Sequence, residues 1–235
     1  VTLLANISID NWEQIWNLSG VTIDGDGHSI KINAIESLEN HDAVIHSAGG
    51  NTFQDLTIDL SGITADSQAQ GYRAFNATDG DSFTNVTVIG NEHVAYGIFA
   101  SGTDETDDTI TITDCTFQDC AYAIGSEPVA GTTTSVLENL TVTGSTFTGC
   151  EYAGILYTPN VTFTGNTVSG GRLNIMHETQ NISENTFEDG SRIKFYADPE
   201  TFQKNKISAD SCLDADADVT SIDVSENYWG GEAPS

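Results

Sequence analysis

The chain has 235 residues, 38% of them hydrophobic, enough for one sizeable core or for one elongated domain with a narrow interior. Thr, Asn and Gly supply 29, 17 and 22 residues against a single Met, a balance that favours strands and turns and excludes a helical bundle. Thirty-five acidic residues against seven basic ones leave a formal charge of -28, which repels a phosphate backbone and an anionic membrane surface alike, so nucleic acid is excluded as a partner.

In chain order, residues 1–20 read as an N-terminal cap. Asp10-Asn11-Trp12-Glu13 has a carboxylate at a helix-capping position and a Glu three residues on, and predicts a short helix over residues 10–18 that covers the end of a stack. No apolar run approaches the roughly 20 residues of a bilayer span, no signal-peptide pattern opens the chain, and the first residue is Val1, so the sequence reads as a mature or excised soluble region without membrane insertion.

Residues 21–231 are repetitive. The phrases LTIDLSG from Leu56, VTVIGN from Val86, ITITDCTFQDC from Ile110, LTVTGSTFTGC from Leu140, VTFTGNTVSGG from Val161, NISENTFEDG from Asn181 and IDVSENYWGG from Ile222 are variants of one pattern, with FQKNKISAD from Phe202 a weaker copy. Apolar residues alternate with Thr, Asp or Ser, then Gly or Asn introduces a corner and a second apolar pair follows. A further strand precedes each copy: AVIHS, YRAFNAT, AYGIFASG, AYAIGS, EYAGILY, RLNIMH, RIKFYAD and CLDADAD. Coils of this length cannot bury a face alone but share one interior when stacked. The expectation is an all-β fold, a single parallel β-helix (β-solenoid) domain, with residues 232–235 as a tail.

Cys115, Cys120, Cys150 and Cys212 lack zinc-site spacing. Cys120 and Cys150 occupy equivalent places, as neighbours in a buried stack where a disulfide is sterically demanding. Seven Asn-x-Ser/Thr sequons begin at Asn6, Asn17, Asn76, Asn85, Asn139, Asn160 and Asn181. The last four stand just before alternating strands, where Asn can hold a turn, and that explains them without glycosylation.

The repeated (V/I)T(I/V)TGNTF pattern, the opening phrase VTIDGDGHSIKI at residues 21–32 and the closing ENYWGG at residues 226–231 resemble the right-handed parallel β-helix proteins of the pectate-lyase-like superfamily. The resemblance covers roughly residues 20–231. It implies a right-handed β-helix, and allows polysaccharide lyases, hydrolases, epimerases, tailspikes and non-catalytic surface adhesins. In the lyases, calcium held by carboxylates neutralises a uronate while an Arg or Lys abstracts a proton. No RxPxxR-like phrase occurs here, and the NTD-type and DD-type phrases of the hydrolases are missing, so no catalytic residue carries over.

Aligning the upstream strands puts Tyr96, Tyr122 and Tyr152, with Tyr72 at the start, in line with Leu173, Ile193 and Leu213. Aliphatic replacements suggest that this column points inward; pointing outward, it would make a sugar-stacking platform. The flanking residues then point out: Arg172, Asn174 and Met176; Arg192, Lys194 and Tyr196; Asp214, Asp216 and Asp218. Five of the seven basic residues (Arg172, Arg192, Lys194, Lys204, Lys206) fall between 172 and 206. The functional reading is a sugar or anion site with Arg172, Asn174, His177, Arg192, Lys194 and Tyr196 as binding residues, and the bland alternative is cross-strand ion pairing, such as Lys194 with Asp214. Asp214, Asp216 and Asp218 alternate on one predicted strand face and are the candidate Ca2+ ligands, spaced too widely for one ion to bridge all three directly. His28, His41, His46 and His93 are too scattered for a metal, and the insertion 103–108 reads as a solvated acidic loop before a calcium loop. The reading is an extracellular or cell-surface carbohydrate-binding or adhesive domain of a larger surface protein, without catalysis, whose partner is a polysaccharide or host glycan. A calcium-assisted polysaccharide lyase is the alternative and a structural stalk the third.

Overall fold

The computed structural model describes residues 1–10, 15–33, 43–63, 72–91, 96–103, 107–126 and 137–230, except the side chains of 15–17. Among them, three wholly parallel sheets run along one stack. Sheet I has nine strands: Ile15–Leu18, Ala43–Ser47, Arg73–Ala77, Tyr96–Ala100, Tyr122–Ser126, Tyr152–Leu156, Arg172–Ile175, Arg192–Phe195 and Cys212–Ala215. Sheet II has eight: Thr22–Asp24, Thr52–Gln54, Ser82–Thr84, Thr109–Thr113, Asn139–Thr143, Asn160–Thr164, Asn181–Ser183 and Thr201–Gln203. Sheet III has ten: Ile7–Ile9, Ser29–Ile32, Thr57–Asp59, Thr87–Ile89, Thr116–Gln118, Thr146–Thr148, Thr167–Ser169, Thr186–Glu188, Lys206–Ile207 and Tyr228–Trp229. A coil visits I, II and III in turn, then steps to the next. The expected parallel β-solenoid is the fold.

In sheets II and III most strands are or contain a Thr-apolar-polar triplet, so the period of two buries the middle residue. Phe53 stacks on Phe83 in sheet II with centroids 5.0 Å apart, and Phe117 on Phe147 in sheet III at 5.2 Å. Phe75 of sheet I meets both Phe53 and Phe83 edge-on, closing the narrow interior. In the coils after the first, the chain turns between II and III in two residues. The first takes positive φ (Asp55, Asn85, Asp114, Gly144, Gly165, Glu184, Lys204). Gly144 is required twice over, because a Cβ there would lie 2.2 Å from Asp114 Oδ1.

The second corner residue is buried, and late in the chain it is asparagine. The amide NH of Ser145, Asn166, Asn185 and Asn205 donates to Oδ1 of Asn166, Asn185, Asn205 and Asn227 respectively, at 2.8–3.0 Å. Each Asn Nδ2 in turn donates to a backbone carbonyl, of Val142, Phe163, Ile182 and Phe202. Corner groups outside the sheet ladders are thereby satisfied coil after coil.

Two expectations are corrected. Ile15–Leu18 is a strand paired with Ala43–Ser47, not part of a helix; residues 11–14 lie outside the described residues. A capping signal contributes on the order of 1 kcal/mol, less than the hydrogen bonds and burial gained by continuing sheet I. The repeats also fall into two phases. Thr57 pairs through Thr87 with Thr116, whereas Thr141 pairs with Thr111, so the copy at Leu56 belongs to sheet III and the copy at Leu140 begins in sheet II. The Thr-apolar triplet is common to both sheets, which makes the two phases look alike. Among the described residues no helix is long and apolar enough to cross a membrane.

Candidate functional site

Sheet I departs from simple alternation. In its five-residue strands the second and third residues both enter the core, as with Ala74 and Phe75 or Ala123 and Ile124. Strand Arg172–Ile175 has only four residues, so Tyr152 pairs with Arg172, the register shifts, and Gly154 pairs with Leu173. The tyrosines therefore do not share a column with Leu173, Ile193 and Leu213. Their column runs Arg73, Tyr96, Tyr122, Tyr152, Arg172, Arg192, Cys212, on the outer face. Tyr72 sits one residue before it, buried in the core. The inward assignment for Tyr96, Tyr122 and Tyr152 is wrong because the extra residue is small, Gly97, Ala123 or Ala153, and carries no signal of its direction.

The three half-buried tyrosines form a ladder, with centroids 4.9 Å apart for Tyr96 and Tyr122 and 4.8 Å for Tyr122 and Tyr152. Arginines flank both ends. Arg73 lies 5.4 Å from the Tyr96 ring and 3.5 Å from that of Phe99, and Arg172 lies 5.1 Å from Tyr152 while its Nη1 donates to the Tyr152 hydroxyl at 3.0 Å. Ring faces are thus occupied by other rings or by guanidinium groups. What the ladder presents outward is edges and phenol oxygens, not a stacking platform. Burial, then the neighbouring Tyr96, Tyr152 and Glu151, push the Tyr122 hydroxyl above its ordinary value, so it stays a neutral donor.

Beyond the ladder, Arg172, Asn174, Arg192 and Lys194 come together on paired strands. Arg192 is exposed, and contact with the Cys212 side chain, then Asp214, raises its pKa. Lys194 stands 4.4 Å from the Tyr196 ring, and hydrogen bonding to Tyr196, with Asp216 and Asp214 nearby, raises its pKa. Its ion pair is with Asp216, at 3.6 Å, although Asp214 is its register partner. Asn174 is only 6% exposed, and its Oδ1 has no hydrogen-bond partner among the described residues. A buried acceptor left this way is costly unless a water or ligand donor reaches it. Met176 and His177 follow the strand, both half-buried; the Gln180 amide donates to the His177 carbonyl at 3.4 Å.

The acidic ladder is shorter than alternation predicts. The strand ends at Ala215, Asp216 follows it and Asp218 lies in a turn. Among the described residues no three His, Cys, Asp or Glu side chains converge as metal ligands. Other candidates have local tasks. Asp108 is buried and caps Thr103, whose amide and hydroxyl both donate to it; residues 104–106 lie outside the described residues. His28 meets Asn6 at 3.3 Å and His46 meets Asn76 at 3.1 Å; His41 and His93 lie outside the described residues. Of the sequons, Asn85 does hold a positive-φ corner, whereas Asn139, Asn160 and Asn181 begin strands.

At the corner leading from sheet III into sheet I a groove of about 590 Å³ runs beside the tyrosine ladder, lined by Ser61, Asn91, Asp119, Cys120, Ala121 and Glu151 among others. The tyrosine column is legible in the sequence but its face is not, because a single extra residue per coil sets the strand phase, and the groove between corners of successive coils carries no sequence signal. The family model described as "Right handed beta helix region" matches residues 2–168. No curated protein matches the chain.

Proposed function

The chain belongs to the right-handed β-helix family, and from that premise we propose that the outer face of sheet I is a non-catalytic glycan-binding surface of an extracellular or cell-surface adhesive domain. The observation that carries the reading is the gathering of Arg172, Arg192 and Lys194, three of seven basic residues in a chain of charge -28, on paired strands beside Tyr152 and Tyr196. Elsewhere the acidic surface repels an anionic polymer, so this patch selects where one lands. Guanidinium groups take carboxylate or sulfate oxygens in pairs. The phenol edges offer hydroxyls to sugar oxygens. Arg192 is exposed and Lys194 half-buried, so both cations can be reached by a polymer lying on the sheet. Calcium enters this reading only with a bound uronate and water completing the shell around Asp214 or Asp216.

The test is a panel of neutral and uronate-containing polysaccharides, with and without calcium. Retention of anionic polymers without turnover is expected. Release of unsaturated product, seen as new absorbance from a double bond, would replace the reading by the lyase; no retention of any polymer would leave a structural stalk.

A further inference from the structure

We propose that Cys120 and Cys150 are a cross-coil dithiol that a hydroperoxide closes to a reversible disulfide. Strands Thr116–Gln118 and Thr146–Thr148 pair in register. The register continues through the corner, where the Glu151 amide donates to Cys120 O at 3.0 Å and the Tyr152 amide to Ala121 O at 2.8 Å. The two cysteines are therefore stacked neighbours. Cα atoms on adjacent strands are about 4.8 Å apart, inside the range of about 4.4–6.8 Å that a disulfide spans. The Cys150 sulfur points back toward the coil of Cys120, lying 3.7 Å from Phe117 O.

The chemistry of the pair is asymmetric. Hydrogen bonding with the Cys120 side chain holds the Cys150 thiol below its ordinary value despite burial, and the same contact together with burial pushes Cys120 up. Cys115, buried without such a partner, is pushed up to about 11. Either sulfur can attack with the same disulfide as product; for Cys150 the steps are these. Its thiolate takes one peroxide oxygen, the O–O bond breaks, hydroxide leaves, and Cys150 becomes a sulfenic acid. Cys120 then attacks that sulfur, the S–O bond breaks, and the Cys120 proton leaves with the departing hydroxide as water. In sum two thiols are oxidised to one disulfide and one peroxide is reduced to two waters.

Cys120 lines the groove of about 590 Å³, a route for a molecule as small as a peroxide. A disulfide wants Cβ atoms about 3.5–4.5 Å apart, closer than the coil spacing, so closure draws two coils together and the bond is easily reduced. The staple falls two residues before Tyr122 and Tyr152, at the root of the tyrosine ladder.

The experiment uses the Cys212→Ser variant, which removes the exposed thiol and leaves three buried ones. After hydrogen peroxide treatment, alkylation under denaturing conditions is expected to find one thiol instead of three. Peptides containing Cys120 and Cys150 should be recovered linked, and a dithiol reductant should restore three. Adding Cys150→Ser should abolish the linkage and leave Cys115 and Cys120 alkylatable. The proposal is overturned if all three thiols survive peroxide, if they are lost by irreversible oxygen addition, or if the bridge involves Cys115. Peptide mapping of the unsubstituted protein reads the same bond without any variant.

Discussion

At the residue scale, position in the coil decides what a side chain does. Asn185 is an internal tie: Oδ1 accepts from the Asn166 amide at 2.9 Å while Nδ2 donates to Phe163 O at 2.8 Å. Asn185→Ala strands both partners in a buried corner, a loss of roughly 2–4 kcal/mol, so melting should fall by about 5–15 °C in calorimetry. A drop of under two degrees would mean that water replaces the amide. Arg192 stands on the opposite side of this logic. It is exposed, so Arg192→Lys should leave melting within about 2 °C of the parent, yet recover only part of the glycan affinity if two guanidinium bonds are made at once.

At the element scale, sheet I is the informative one. Gly125 sits beneath the Tyr96 ring, and a Cβ there would lie 2.4 Å from Tyr96 Cε1. Gly125→Ala should push Tyr96 off the ladder, with reduced near-UV circular dichroism from the tyrosines while the far-UV spectrum stays that of the parent. An unchanged near-UV signal would refute the ladder. On the inner face, Ile193 is fully buried, and Ile193→Asp should abolish soluble folding because an unpaired charge cannot enter a narrow apolar interior. The faces of strands 172–175 and 192–195 were readable because Leu173, Ile193 and Phe195 alternate cleanly with Arg, Asn and Lys. The tyrosine strands were not. Two consecutive inward residues, one of them a small alanine or glycine, imitate a strand of the opposite phase, and only the paired register resolves it. The N-terminal capping signal failed for a related reason: local propensity at Asp10 is outweighed by lateral pairing that no local window contains.

At the scale of the whole molecule, the fold was legible because a fixed repeat states its own architecture, and the spectrum should be dominated by β structure. Charge governs the ends. Hydrogen bonds from Thr220 and Ser221 lower the Asp198 carboxyl, and those from Ser225 lower Asp223. Groups lowered in the folded state stabilise it above the ordinary carboxylate value of 3.8, and that contribution disappears as pH falls through their lowered values. Buried Asp81 acts in the opposite sense. Desolvation raises its pKa, so its contribution is present below 3.8 and fades as pH rises through the raised value. Acidification to about pH 3 should therefore lower hydrogen-exchange protection at Thr220, Ser221 and Ser225 before it reaches the Asn51 corner that Asp81 holds. Equal loss at both places would contradict this division.

In the proposed function an acidic solenoid binds an anionic glycan through a small basic patch on sheet I. The most direct measurement is the affinity of the parent and of the Arg192→Ala, Lys194→Ala double variant for one uronate-containing polysaccharide, titrated at two salt concentrations. At least tenfold weaker binding by the double variant is expected, about 1.4 kcal/mol, with a shallower salt dependence and nearly unchanged melting. Equal affinity of the two proteins at both salt concentrations would contradict it.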